Sequence, residues 1–309
     1  MSNDDTDSTI GIELTPDRPF LSALFRGVPP EFMALGSMLS IQLGAALAVP
    51  VMSVIGSAPT TALRLLWAAV LLAIIARPHF TAITRRQWYA SCGLGITIAI
   101  LTLCYFLAIS RIPMGTATAI EFLGPLGVAL VGSRRLGHLI LAVVAAAGVF
   151  LLTREHSHWS VDPTGVFLAS IAALGWAIYI LLMKKVGASL PGLHGLSIAL
   201  QVATVAALPM GFLTANGKQV WLSLPITWAP FLATIGLALL SPLLPYALEM
   251  AALRRMNTRT FGIFMSIEPA FSAILGYLIL NQHLSLRQIM GIGCVVTAST
   301  VAAAENRAG

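Results

Sequence analysis

Charge is what this sequence has least of: only 10% of its 309 residues are Asp, Glu, Lys or Arg, against roughly 25% in an ordinary soluble domain. With 57% hydrophobic residues and a mean hydropathy of +0.87, there is too little polar side chain to coat a water-soluble globule. Three stretches, 32–63, 186–217 and 219–248, hold no charged residue at all. Each exceeds the roughly 20 residues that carry a helix across a bilayer. A soluble fold is excluded, and lipid is the expected solvent.

Cysteine is nearly as scarce. Cys92, Cys104 and Cys294 lie in apolar segments with no CxxC or His-flanked spacing, which argues against a disulfide framework or a metal site and for small packing residues. No two histidines have metal-ligand spacing, so neither metal nor cofactor is expected. Residues 1–30 lack the apolar centre of a cleavable signal peptide. They are acidic and rich in Ser, Thr and Pro, the composition of a disordered cytoplasmic tail.

The charges that are present are placed informatively. Net charge is +6, and the cations cluster between apolar runs, as in Arg85-Arg86, Arg134-Arg135, Lys184-Lys185 and Arg254-Arg255. That pattern anchors helix ends and speaks against nucleic acid as a partner. Breaking the chain at charge and Pro/Gly punctuation predicts ten helices, near 31–52, 58–76, 88–109, 112–132, 138–153, 163–183, 191–214, 226–248, 257–280 and 286–304. Twelve Lys and Arg fall on the side of the termini and four on the other, which predicts both termini in the cytoplasm. Trp88, Trp159, Trp221 and Trp228 fall at predicted helix ends and read as interfacial anchors.

A shift of 144 residues lays the fourth segment on the ninth. It pairs Ala108, Arg111, Thr116, Pro125 and Gly132 with Ala252, Arg255, Thr260, Pro269 and Gly276. Two five-helix copies would be inverted relative to one another, because five is odd. The expected fold class is therefore all-α, a polytopic membrane protein of ten transmembrane helices in two inverted repeats, 31–153 and 154–309.

Ionisable groups at membrane depth cost about 2.5–3.5 kcal/mol each and persist only with a partner or a wet cavity. Arg64, Glu121 and Glu268 qualify. Arg64, with Trp67 three residues on, is a candidate clamp for a substrate carboxylate or one half of an internal ion pair. Pro125 leaves the carbonyl of Glu121 without its helical donor, and Pro269 does the same to Met265. Both helices are expected to open there, and interrupted helices at matching repeat positions point to a midplane binding site. Removal from water disfavours a charged carboxylate, so Glu268, and secondarily Glu121, are candidate proton carriers. The alternative is a protonated Glu that merely ties helices together. Trp67 and Trp176, with Tyr179 near in sequence, could wall a cavity or pack. Glu249 and Arg259 read as an ion pair at the cytoplasmic end, Gln42 and Gln201 as helix ties or path-lining amides, and Pro242 with Pro245 as a hinge.

The doubled Ala-x-x-Arg followed by a proline-centred helix resembles the EamA-type drug/metabolite transporter superfamily and, within it, the bacterial threonine and homoserine exporters. Thr61–Leu65, Glu121–Pro125, Trp176–Ile180 and the run Leu244–Met250 through Thr258–Gly262 to Met265–Ala270 carry the likeness. It implies an exporter of small amino acids, threonine and homoserine above all, with a larger zwitterion such as an amino-acid-derived metallophore as the alternative. The residues alone say that one buried cation and two buried carboxyls suit a zwitterion. A membrane enzyme would need a catalytic cluster in its loops, and the short connections hold none. A passive channel differs from a carrier in leaking without proton dependence.

Overall fold

The computed structural model describes residues 27–76, 83–130, 136–155, 158–159, 161–190, 193–213, 228–253, 255 and 264–305. The acidic tail up to residue 26, the start of the ninth predicted helix and Arg259 lie outside them. So do the side chains of Trp159, Trp221 and Trp228, whereas Trp88 is exposed near a helix start, as an interfacial anchor should be.

Twelve helices make ten spans among the described residues. They are α1 (Pro30–Ile55), α2 (Ser57–Ala76), α3 (Arg85–Ile109), α4 (Met114–Glu121), α5 (Leu123–Leu130), α6 (Leu136–Thr153), α7 (Pro163–Ser189), α8 (His194–Leu213), α9 (Trp228–Ala238), α10 (Leu244–Leu253), α11 (Glu268–Leu280) and α12 (Leu286–Glu305). Helices α4 and α5 form one broken span. A π turn, Leu239–Leu243, joins α9 and α10 into another. Six spans are long and apolar enough to cross a membrane on length and composition alone. The only strands described are two residues each, Arg154–Glu155 against His158–Trp159, between α6 and α7.

Local chemistry sets the helix ends. Thr84 and Gln87 form a capping box at the start of α3, and each side chain satisfies a backbone N–H that no helical turn could reach. Asp162 caps α7 by accepting from the Thr164 N–H at 2.8 Å, with Pro163 in the first turn, where a missing N–H does no harm. Gly56 takes φ 88° between α1 and α2, a conformation open to glycine without steric cost, so the chain reverses with no loop. Asn281 closes α11 in the left-handed region.

Each expected interruption is present. Helix α4 ends on Glu121 and α5 resumes at Leu123, because Pro125 has no N–H for the Glu121 carbonyl. Helix α11 begins at Glu268 with Pro269 in its first turn. The eighth span breaks at Ser241, whose φ −161°, ψ 108° is extended backbone within an otherwise helical run.

The packing has a regular plan. Helix α3 lies against α7 and α8. The corresponding span five places on, α9–α10, lies against α1 and α2. The α4–α7 contact is matched by α11–α1 in the same way, while α2–α8, α4–α11 and α6–α12 map onto themselves. A shift of five spans thus carries each of these pairings onto another of them or onto itself. Close approach relies on glycine. A Cβ at Gly148 would come within 2.8 Å of the Gly291 carbonyl oxygen, and one at Gly291 within 2.7 Å of the Gly148 oxygen. Small residues are how helices associate where lipid offers no hydrophobic contrast.

Candidate functional site

The three breaks surround one cavity. Its lining includes Ile41, Gln42 and Ala45 of α1, Arg64 and Leu65 of α2, and Leu101, Thr102, Tyr105 and Phe106 of α3. Glu121, Trp176, Tyr179, Ser241, Pro242, Tyr246, Glu249 and Glu268 complete it. Of the site residues expected from sequence, Arg64, Glu121, Trp176, Tyr179 and Glu268 are brought together here. Trp67, Pro125 and Pro269 are not among the lining.

Arg64 is 2% exposed. Its Nη1 donates to Ser241 Oγ at 3.1 Å, and its guanidinium lies 4.1 Å from the centroid of the Phe106 ring. Nε is buried with no hydrogen-bond partner. Among the described residues no carboxylate lies within ion-pair distance of Arg64, so the internal ion pair is not formed. The break at Ser241 matters to this arrangement: a hydroxyl that would otherwise bond within its own helix is free to receive the guanidinium.

Glu268 is likewise 2% exposed. Its Oε1 accepts from Gln42 Nε2 at 2.8 Å, while Oε2 is buried without a partner. Gln42 thus joins helices and lines the cavity at once. Gln201 contacts Ser197 of its own helix at 3.5 Å. Glu121 stands at the end of α4, where the proline-broken turn places its carboxyl in the cavity wall. Trp176 meets Phe122 edge-on at 5.4 Å, and Tyr179 stacks on Tyr246 at 5.8 Å, so the aromatic wall is held by ring-to-ring contact.

Two expectations need correction. Trp67 packs edge-on against Phe231 of α9 at 5.4 Å instead of facing the cavity. Three residues along a helix turn the side chain by roughly 60° from the Arg64 direction, enough to move it onto the neighbouring helix. Glu249 is not a cytoplasmic-end residue: it lines the cavity, and its Oε1 accepts from Ser37 Oγ at 2.9 Å. Helix α10 restarts after the Ser241 break and carries Tyr246 and Glu249 on one face, three residues apart. The basic pair Arg254-Arg255 drew attention to the wrong end. Tyr105 and Ser241 were also missed, although Thr102 and Tyr105 make a polar pair at helical spacing in the otherwise apolar second half of α3. That pairing was the available signal.

A guanidinium and three carboxyls in a largely apolar wall, with Arg64 Nε and Glu268 Oε2 lacking partners, suit a small ligand carrying both charges. Comparison with known proteins decides the class. The threonine/homoserine exporter RhtA of Escherichia coli strain K12 is 36% identical over 274 residues, covering 87% of this chain and 90% of its own. The model of the EamA-like transporter family matches residues 163–303.

The chain belongs to the EamA-like transporter family.

RhtA of Salmonella typhimurium strain LT2 is 35% identical over the same share of both chains. The uncharacterized transporter YvbV of Bacillus subtilis strain 168 is 23% identical over 248 residues, 76% of this chain and 79% of its own. A solved crystal structure with 19% sequence identity superposes with a TM-score of 0.57, covering 88% of this chain and 98% of that one. It supports the fold alone. An EamA-like chain is a membrane transporter, which removes the membrane enzyme from consideration.

Proposed function

We propose that this protein exports small amino acids, threonine and homoserine above all, from the cytoplasm across the bacterial inner membrane, by proton-coupled alternating access. The observation that carries the proposal is one unsatisfied atom on a cation and one on a carboxyl group of the same cavity. Arg64 Nε and Glu268 Oε2 are both buried and unpartnered, and they are not paired with each other. A buried polar group left without a partner costs about 1–3 kcal/mol. A zwitterion relieves both costs, its carboxylate meeting the guanidinium and its ammonium a carboxylate. The hydroxyls of Thr102 and Ser241 in the same wall suit a hydroxylated side chain. The relatives named as threonine/homoserine exporters support the same choice.

Alternating access would come from the halves 31–153 and 154–309 rocking against each other about the cavity. The repeated packing plan supports two such halves. Glu268 would take a proton from outside as substrate leaves. Both termini would then face the cytoplasm.

The test is transport by purified protein in proteoliposomes. Labelled threonine is expected to accumulate against its gradient when the pH gradient is imposed in the exporting direction, and homoserine to compete. Glutamate and lysine, whose side chains add a second charge, are expected to compete at least tenfold less well. Accumulation that ignores the pH gradient would overturn the coupling, and indifference to both hydroxy amino acids would overturn the substrate.

A further inference from the structure

Glu268 is the end of a chain of hydrogen bonds that leads away from the cavity. Gln42 donates its amide N–H to Glu268 Oε1 at 2.8 Å. The amide oxygen of Gln42 accepts from the Tyr105 hydroxyl at 3.4 Å. Tyr105 Oη lies 2.8 Å from Thr118 Oγ1, and Thr118 Oγ1 lies 2.7 Å from Ser272 Oγ. Thr118 also reaches the Met114 carbonyl at 3.0 Å. The participants come from α1, α3, α4 and α11. Tyr105, Thr118 and Ser272 are buried, and neither Thr118 nor Ser272 lines the cavity.

An amide has a donor end and an acceptor end, and a hydroxyl has one proton to give. With Glu268 ionised, its oxygen can only accept, so Gln42 must present its NH2 to it. The amide oxygen then faces Tyr105, which must donate. A proton on Oε2 would be a donor with no acceptor, since that oxygen has no partner, so the protonated carboxyl bonds through Oε1, and its O–H donates to the amide oxygen. Gln42 turns over, its NH2 faces Tyr105 Oη, and the tyrosine proton needs another acceptor. Thr118 Oγ1 is that acceptor, with Ser272 beside it. No atom crosses the amide in this exchange, since each group only reverses the bond it already makes.

We propose that Gln42, Tyr105 and Thr118 are positioning residues that set the proton affinity of Glu268. Their hydrogen bonds run one way when its carboxyl is ionised and the other way when it is protonated. The inference rests on Glu268 as the proton carrier of the proposed transport cycle. It adds that the proton's presence is felt outside the cavity, at the contact of α4 with α11.

The two ends of the relay have opposite effects. Tyr105→Phe removes the hydroxyl that holds Gln42 with its NH2 toward Glu268, which frees the amide to accept from a protonated carboxyl. Thr118→Val with Ser272→Ala removes the acceptors the tyrosine needs in the protonated state, which locks the relay in the orientation of the ionised carboxyl. A packing defect alone has no reason to give opposite signs. The other charged or titratable groups around the cavity are Arg64 on α2, Glu121 on α4, Tyr179 on α7, and Tyr246 and Glu249 on α10. They are the same in all variants.

The experiment is a pH titration of the full-length protein in nanodiscs by difference infrared spectroscopy. The carboxyl band of Glu268 is assigned by its loss in Glu268→Gln. Expected are a midpoint displaced to higher pH by at least about half a unit in Tyr105→Phe, and to lower pH by at least about half a unit in T118V/S272A. Half a unit is about a threefold change in proton affinity. Thr118→Ser, which keeps the hydroxyl, is expected to titrate like wild type. Midpoints that move in the same direction, or do not move, overturn the relay, as does a wild-type protein with no titrating Glu268 band. If the midpoints move as stated while wild-type transport ignores an imposed pH gradient, the relay stands and the coupling mechanism fails instead.

Discussion

Replacing Arg64 tests the site most directly, because its geometry separates charge from shape. The guanidinium is fixed from one side by Ser241 Oγ at 3.1 Å and from below by the Phe106 ring at 4.1 Å, while Nε has no partner. Arg64→Lys keeps the positive charge but loses the fork that engages a carboxylate with two bonds. A hydrogen bond to a charged group contributes about 1.5–3 kcal/mol. One such bond lost, about 2 kcal/mol, corresponds to about a 30-fold weaker affinity. Arg64→Gln loses the charge as well, and at least about 3 kcal/mol, or 150-fold, is expected. Equilibrium binding of labelled threonine to purified protein in nanodiscs measures both. Thermal unfolding of the same samples checks that the protein is intact, since loss of the contact with Phe106 removes about 1–2 kcal/mol of its own. Affinities within threefold of wild type in both folded variants would refute the assignment of Arg64 to the substrate carboxylate.

Glu268→Gln should abolish accumulation driven by a pH gradient while threonine counterflow, which needs no net proton movement, continues at a higher half-saturating threonine concentration; equal loss of both would overturn the coupling role of Glu268. Glu249→Gln is expected to weaken threonine binding more than Ser37→Ala does, because the carboxyl lines the cavity and the serine only holds it; the same binding assay decides. Gly95→Ala should destabilise the protein by about 1–3 kcal/mol, since the added methyl would run into the Ala199 backbone oxygen of α8. Gly93→Ala should be neutral, its nearest neighbour being the Leu182 side chain at 3.7 Å, and thermal unfolding of the pair tests the α3–α8 contact. A fluorescent protein fused at the C-terminus should be bright and an alkaline phosphatase fused there inactive, because both termini are proposed to be cytoplasmic.

The spans, their number and the positions of their breaks were legible in the residues, and for a physical reason. In lipid every backbone group must be satisfied within its own helix, so length, hydropathy and the missing N–H of Pro125 and Pro269 act locally and leave their mark on the chain. The ionisable residues Arg64, Glu121 and Glu268 stood out on the same ground, since a charge in an apolar segment is costly wherever the helix packs. Which of them would share a cavity depended on helix rotation and on the extended residue at Ser241, and neither is a local property. Glu249 joined the site, and Trp67 left it, because the direction of a side chain is fixed by which helices pack together. The relay from Glu268 through Gln42 and Tyr105 to Thr118 joins four helices distant in sequence. Only their tertiary packing brings those hydroxyl and amide groups within reach.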